Sequence, residues 1–429
     1  MLTPEINRAY CSILREELVM ATGCTEPIAI AYAAALLRKA LGRRPTAIRA
    51  EVSGNIIKNV KSVVVPNTGG QKGICTAIAA GIVAGRADAQ LQVISDVPEA
   101  LHEEIRQYAA ETPMEIVCAN SPRLLEILLT GTDGEERAQV HIANNHSNVV
   151  YLSHGDEVLL QKPLTDSPED NLTDKSVLNV ADILAFADST PLDELAPLLE
   201  RQIACNSAIA EEGLRGVWGA GIGAVLRKDY PNDITTEAKA WAAAGSDARM
   251  SGCEKPVVIL SGSGNQGITA CLPVVRYAKH IGASRERLYR ALLVSDLVTI
   301  DQKKGIGRLS AYCGAISAGV GAGAGIAYLL DGSFDAVAHT IVNAVAILSG
   351  TICDGAKPSC AAKIAASVEA GILGYHMYRN HHEFLDGDGI VTKGVDNTIR
   401  NVGVLAQQGM RQTDRTILEI MTGTCAKHG

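Results

Sequence analysis

The chain has 429 residues, enough for two or three domains with substantial cores. Hydrophobic residues make up 47% and charged residues 20%, so the chain is globular and not disordered. The net charge is -8 and no lysine or arginine run stands out, which argues against nucleic acid and anionic membranes as partners. Aromatics are only 4% beside abundant Gly and Ala, which favours close helix–helix packing over large aromatic pockets.

The N-terminus shows no basic region followed by an apolar run, so no signal peptide is expected. Eleven cysteines then point to the reducing cytosol, where thiols serve metals or catalysis and not disulfides.

In chain order, Ile6, Tyr10, Ile13, Leu14 and Leu18 recur at helical spacing. After the break Thr22-Gly23-Cys24-Thr25, a second helix is predicted from near Pro27 to about Leu41, with Thr25 as its cap. Residues 47–52 alternate like a strand, and Ser62–Val65 reads as another. A glycine loop follows, then an Ala-rich helix over 74–83. The segments 114–118, 124–130, 136–143, 148–153 and 157–160 read as short strands. Turns at Thr132-Asp133-Gly134 and His154-Gly155-Asp156 predict an antiparallel meander. Residues 161–175 are polar and read as a linker. Almost everything beyond reads as helix, with glycine-rich breaks near 245–267, 305, 314–325, 349–357 and 386–394.

The predicted class is therefore α+β. Residues 1–45 are read as N-terminal helices that carry Cys24 and pack with the catalytic portion, 46–160 as an α/β portion with antiparallel strands, and 176–429 as a large helical catalytic portion. The uncharged stretch 311–330 has the length of a membrane span. Its five glycines and the lack of an aromatic belt read instead as a tightly packed buried helix.

A faint internal echo joins Thr22–Pro27 to Ser251–Pro256, and Pro66–Ile74 to Ser261–Ile268. The spacings differ, so no duplication is inferred. The shared design is a glycine loop running into an Ala-rich helix, which points backbone N–H groups at an anion.

Several residues carry possible chemistry. Cys24 directly precedes a predicted helix N-terminus, whose dipole favours the thiolate; it is a candidate base or nucleophile, or a small buried residue in a turn. Glu26 either hydrogen-bonds in the same site or complements the helix dipole. Asn67-Thr68-Gly69-Gly70-Gln71 and Gly264-Asn265-Gln266-Gly267 fit neither a Walker loop nor a dinucleotide fingerprint. Each is a candidate carboxylate site or an ordinary helix-start turn.

Cys313 lies 40 residues before Cys353-Asp354-Gly355-Ala356-Lys357-Pro358-Ser359-Cys360. Soft thiolates in glycine-rich turns suit an iron–sulfur cluster better than a hard cation. Three ligands in place of four would leave one iron open to act as a Lewis acid. The spacing of Cys353 and Cys360 matches neither a ferredoxin run nor a zinc ribbon. Cys11, Cys75, Cys118, Cys205 and Cys271 lie in apolar segments and read as packing. No His pair suits zinc, no Gly-x-Ser-x-Gly elbow exists, and no lysine stands in a context that marks a pyridoxal Schiff base.

Taken together, Gly23-Cys24-Thr25-Glu26-Pro27, the Pro66–Gly73 loop, Gly264–Gly267 and the set Cys313, Cys353, Cys360 resemble the L-cysteine desulfidase family, a relative of the iron–sulfur L-serine dehydratases. The resemblance runs nearly end to end. It implies that Cys313, Cys353 and Cys360 hold a 4Fe-4S cluster and that Cys24 accepts a proton. The expected reaction is elimination of L-cysteine to pyruvate, ammonia and sulfide, without pyridoxal phosphate. The serine-rich carboxylate loop of the dehydratases has no counterpart here, which weighs against serine as the main substrate. Two alternatives stay open: serine or threonine dehydration at the same site, and a thiol-rich redox or binding protein without turnover. The expected partner is a small amino acid, with a homodimer as the candidate assembly. In the related dehydratases a C-terminal cysteine can occupy the open iron; Cys425 is the matching candidate here, or an exposed thiol on a frayed end.

Overall fold

The structure is a computed structural model that describes residues 2–23, 25–121, 123–164, 172–307 and 310–422. The class is α+β. Among the described residues eight strands form two sheets: β1 (Val19–Thr22), β2 (Ala47–Val52), β3 (Met114–Cys118), β4 (Glu126–Asp133), β5 (Glu136–Ala143), β6 (Val149–His154), β7 (Glu157–Gln161) and β8 (Pro256–Ile259). The larger sheet has the order β3-β2-β4-β5-β6-β7. The predicted meander runs antiparallel from β4 to β7, with Gly134 and Gly155 at positive φ in its two turns. β3 departs from it: it joins β2 in parallel at the edge, because helix His102–Glu111 returns the chain to the same end of the sheet.

The expectation for residues 1–45 divides. Helix Pro4–Glu17 buries Tyr10, Ile13 and Leu14 in the helical core. Helix Thr25–Leu41 instead lies with helix Ile74–Val83 on the sheet, where Ala29, Ala33 and Leu37 meet Ile127, Leu129 and Val140. Its Ala-rich faces let it approach both neighbours closely, so the sheet is the surface it covers. Of the predicted 161–175 linker, residues 165–171 lie outside the described residues.

Two local readings change. Ser62–Val65 forms only an isolated bridge, Val64 to Lys72. Val63 and Val65 are buried in a loop, so packing and not strand pairing accounts for the apolar run. Strands β1 and β8 were not predicted: each has four residues, and they pair antiparallel across most of the chain, Thr22 opposite Pro256. That pairing brings the two echoing segments together in space.

The helical portion is built around Gly314–Leu330, packed by Gly264–His280, Arg285–Ile306, Phe334–Leu348 and Cys360–Arg379. Gly323 and Gly371 stand face to face, so close that a Cβ on Gly323 would lie 2.6 Å from the Gly371 Cα. No described helix is long and apolar enough to cross a membrane.

This core also buries Asp296, whose Oδ1 accepts a hydrogen bond from Gln202 at 2.9 Å. Burial pushes its carboxyl up to about 7, against the opposing bond from Gln202. A raised carboxyl contributes stability that is full below the unfolded value and lost as pH rises through the folded one. Asp296→Asn is therefore expected to stabilise the protein at pH 8, by on the order of 2–4 kcal/mol, and to change little at pH 4. Denaturant melts at the two pH values check this; an equal effect at both would remove the titration as its cause.

Candidate active site

The two cysteine-bearing loops are zipped together by backbone. Tyr312 bridges Ile352 antiparallel, Cys313 N–H donates to the Thr351 carbonyl at 3.0 Å, and Cys353 N–H donates to the Ala311 carbonyl at 2.6 Å. Cys313 is the N-cap of helix Gly314–Leu330, and Cys360 is the first residue of helix Cys360–Arg379. Both sulfurs therefore stand at helix starts, where negative charge is favoured. Gly355, at φ +93°, lets the second loop lie against helix Gly54–Val60: a Cβ there would fall 1.9 Å from the Lys58 carbonyl.

The thiols are not equivalent. The Cys313 thiol donates to the Cys353 sulfur, and this bond, with Lys58, the Gly355 N–H and Lys357, holds Cys353 well below the usual thiol range despite burial. The same bond and burial push Cys313 up. Burial also raises Cys360, whose Sγ lies 3.5 Å from the Gly355 carbonyl. Cys353 is thus the most acidic of the three thiols. Cations surround it. Lys58 is 1% exposed and pairs with Asp414 at 2.7 Å, which ties the last described helix, Arg411–Thr422, to the site. Lys357 and Lys363 both pair with Asp354. Lys303 is buried, and burial pushes it down to about 8 although Cys353, Cys313 and Glu17 favour its charge.

Glu26, Asn265, Gln266, Cys313, Cys353 and Cys360 line one cavity, despite their distance in sequence, together with Lys58, Asn59, Arg249, Ser263, Lys303 and Tyr312. Helices starting at Thr25, Gly264, Gly314 and Cys360 all direct their N-termini's residues there. Asn59 Nδ2 donates to Glu26 Oε1 at 3.1 Å. Arg249 donates to the Gly23 carbonyl at 3.2 Å and to Asn265 Oδ1 at 3.4 Å. Gly264 makes room for it, since a Cβ there would lie 2.3 Å from Arg249 Nε. Two buried polar atoms of these lining residues have no hydrogen-bond partner among the described residues: Arg249 Nε and Gln266 Oε1. An unpaired donor and an unpaired acceptor on the lining of one cavity are groups that a small polar ligand would satisfy.

The Asn67–Gln71 loop is not in this lining. Asn67 Nδ2 donates to the Ile94 carbonyl, Thr68 Oγ1 to the Val65 carbonyl, and Gln71 Nε2 to the carbonyls of Thr68 and His102. These side chains are spent on the loop's own shape, with Gly69 and Gly70 at positive φ completing the turn. Cys24 and Cys425 lie outside the described residues.

Sequence reasoning missed Lys58, Asn59, Arg249 and Lys303. A signal existed for one of them. Lys303 lies in a helix whose apolar residues Leu292, Leu293, Val294, Leu297 and Val298 mark it as core, and Asp296, Asp301, Gln302 and Lys303 are buried in it as well; polar groups in so apolar a helix need a reason.

Among the described residues no group of three or more His, Cys, Asp or Glu is arranged to hold a metal ion. The three cysteines are drawn as a hydrogen-bonded pair and a third thiol on a carbonyl. Their chemistry nonetheless suits a cluster: soft donors, one of them held below the usual thiol range, two at helix starts, and all among Lys58, Lys303, Lys357 and Lys363.

Residues 88–419 match the family model described as Serine dehydratase alpha chain. The match includes all three cysteines, Arg249, Asn265, Gln266 and Lys303, while Glu26, Lys58 and Asn59 precede it. The chain is 54% identical to a UPF0597 protein of Desulfitobacterium hafniense strain Y51, over 98% of this chain and 97% of that one. It is 47% identical to a UPF0597 protein of Finegoldia magna (96% and 99% covered) and 44% identical to one of Treponema denticola (97% and 98% covered). A match that spans most of the chain, and within it every cysteine of the cavity, makes this protein a member of the serine dehydratase alpha chain family.

Proposed function

We propose that this protein is a lyase that eliminates sulfide from L-cysteine, with a 4Fe-4S cluster held by Cys313, Cys353 and Cys360. The observation that carries this reading is the convergence of those three thiols with unpaired polar atoms of Arg249 and Gln266 on one cavity. When bound, the cluster supplies Lewis acidity toward the leaving sulfur and the substrate carboxylate.

The chain's own groups do the rest. Arg249 offers its guanidinium to the carboxylate, which makes the α-proton easier to remove. Gln266 Oε1 accepts from the substrate ammonium. Glu26, fixed by Asn59, adds a carboxylate on the same side. Cys24, next to a helix start at Thr25, takes the α-proton as thiolate. Loss of the β-thiol then gives aminoacrylate, and water converts that to pyruvate and ammonia, with sulfide as the other product. The described cysteines are all free thiols, which agrees with a reducing, cytoplasmic setting.

Serine or threonine dehydration is the second reading, and the family match favours it. Protein purified without oxygen and reconstituted with iron and sulfide is expected to release pyruvate from cysteine at a higher kcat/KM than from serine. Higher turnover of serine or threonine would assign it as a dehydratase. No release from any of them would leave a non-catalytic thiol protein.

A further inference from the structure

Behind the cysteine cavity lies a second one, of about 820 Å3, which is in the usual size range of ligand pockets. The two share a wall. Lys303 lines both, and the loop between them places Ser261 in the second cavity and Gly262 and Ser263 in the first. The lining of the second carries four cations (Lys175, Lys303, Lys304 and Arg400) against two carboxylates (Glu17 and Asp174). Lys175 is paired with Glu17 at 3.0 Å, and Lys304 with Asp301 at 2.5 Å. That leaves Lys303 and Arg400, neither of which has a carboxylate partner among the described residues; Arg400 donates only to its neighbour Asn397.

Lys303 is the sharper observation. It is 5% exposed and makes no hydrogen bond or close ion pair among the described residues, although Cys353, Cys313 and Glu17 lie near enough to favour its charge. A buried ammonium that no hydrogen bond satisfies is costly, and an anion that reaches it is favoured.

We propose that the second cavity is an anion chamber for small monocarboxylates, and that Lys303 and Arg400 hold the carboxylate on its way to or from the cysteine cavity. This rests on the proposed reaction only in naming the ligand: both the amino-acid substrate and its keto-acid product carry one carboxylate. With Lys175 and Lys304 paired, Lys303 and Arg400 stand against Asp174, and the one cation in excess suits a single negative charge. Arg400 is exposed at the chamber mouth and Lys303 stands at its floor, so the two mark a path inward.

The test uses cluster-free protein, so it does not depend on turnover. Pyruvate binding is followed by saturation-transfer NMR, with acetate and inorganic phosphate as competitors. Arg400→Gln should weaken pyruvate binding about tenfold, as loss of one charged hydrogen bond does, with an unchanged melting temperature. Lys303→Met should weaken it further; if that variant fails to fold, the Arg400 arm decides alone. Lys228→Gln, an exposed change elsewhere, should bind like wild type. In loaded enzyme, Arg400→Gln should raise KM while kcat stays within about twofold. The proposal is overturned if wild type does not bind pyruvate, or if Arg400→Gln binds it unchanged. It is also overturned if phosphate displaces pyruvate at lower concentration than acetate does, which would make this a phosphate site. Pyruvate binding that depends on Arg400, in a protein that releases none from cysteine, would keep the chamber and remove the proposed reaction.

Discussion

Cys353→Ala is expected to abolish both the visible absorption of anaerobically reconstituted protein and all pyruvate release, while leaving the fold intact. Cys353 accepts a hydrogen bond from the Cys313 thiol and is the one thiol of the site held below the usual range, so its sulfur would be the readiest of the three to hold iron. Its backbone hydrogen bond to Ala311 does not involve the side chain and survives the change. Losing the sulfur acceptor costs about 1 kcal/mol, small against the core of a chain this size. Lys58 keeps Asp414 as a partner. Cys313→Ala and Cys360→Ala should also bleach the protein. A colourless variant that still turns over cysteine at the wild-type rate, or a wild type that contains stoichiometric pyridoxal phosphate, would refute the cluster.

Cys24→Ala should give the opposite pattern: colour retained, pyruvate formation reduced by about 10²–10⁴-fold, the usual worth of a positioned base. A base acts on the substrate proton and not on the iron, so iron content and the absorption spectrum should match wild type. Exchange of the substrate α-proton with deuterated solvent should disappear with activity. Glu26, which lines the cavity two residues further on, provides the comparison: Glu26→Gln keeps its hydrogen bond with Asn59 within reach and should reduce activity less. If Cys24→Ala lost the colour yet kept exchange once iron was restored, Cys24 would be a ligand or a structural residue.

The sequence by itself determined the class, the meander and the chemistry of the three thiols. Alternation over β4 to β7 and the glycines of the two turns are local properties, and a local code is readable without neighbours. The soft-donor character of Cys313, Cys353 and Cys360 is likewise a property of residue type and of the glycine turns that hold them. The glycine loop at Gly264–Gly267 could be read as a helix start, and its Asn265 and Gln266 do line the cavity.

What only the tertiary structure decided was which of these pieces share a site. The Asn67–Gln71 loop reads like its echo at 261–267, yet its side chains are turned onto nearby carbonyls, a choice made by the chain around Ile94 and His102. Strands β1 and β8 are too short to announce themselves, and their pairing joins segments far apart in sequence, Val19 with Ile259. Lys58, Arg249 and Lys303 were not among the candidate residues of the sequence. Burial alone turned them into the cationic wall of the cavity, because the energy of a charge depends on the water removed from it, and no window of sequence records where the water goes.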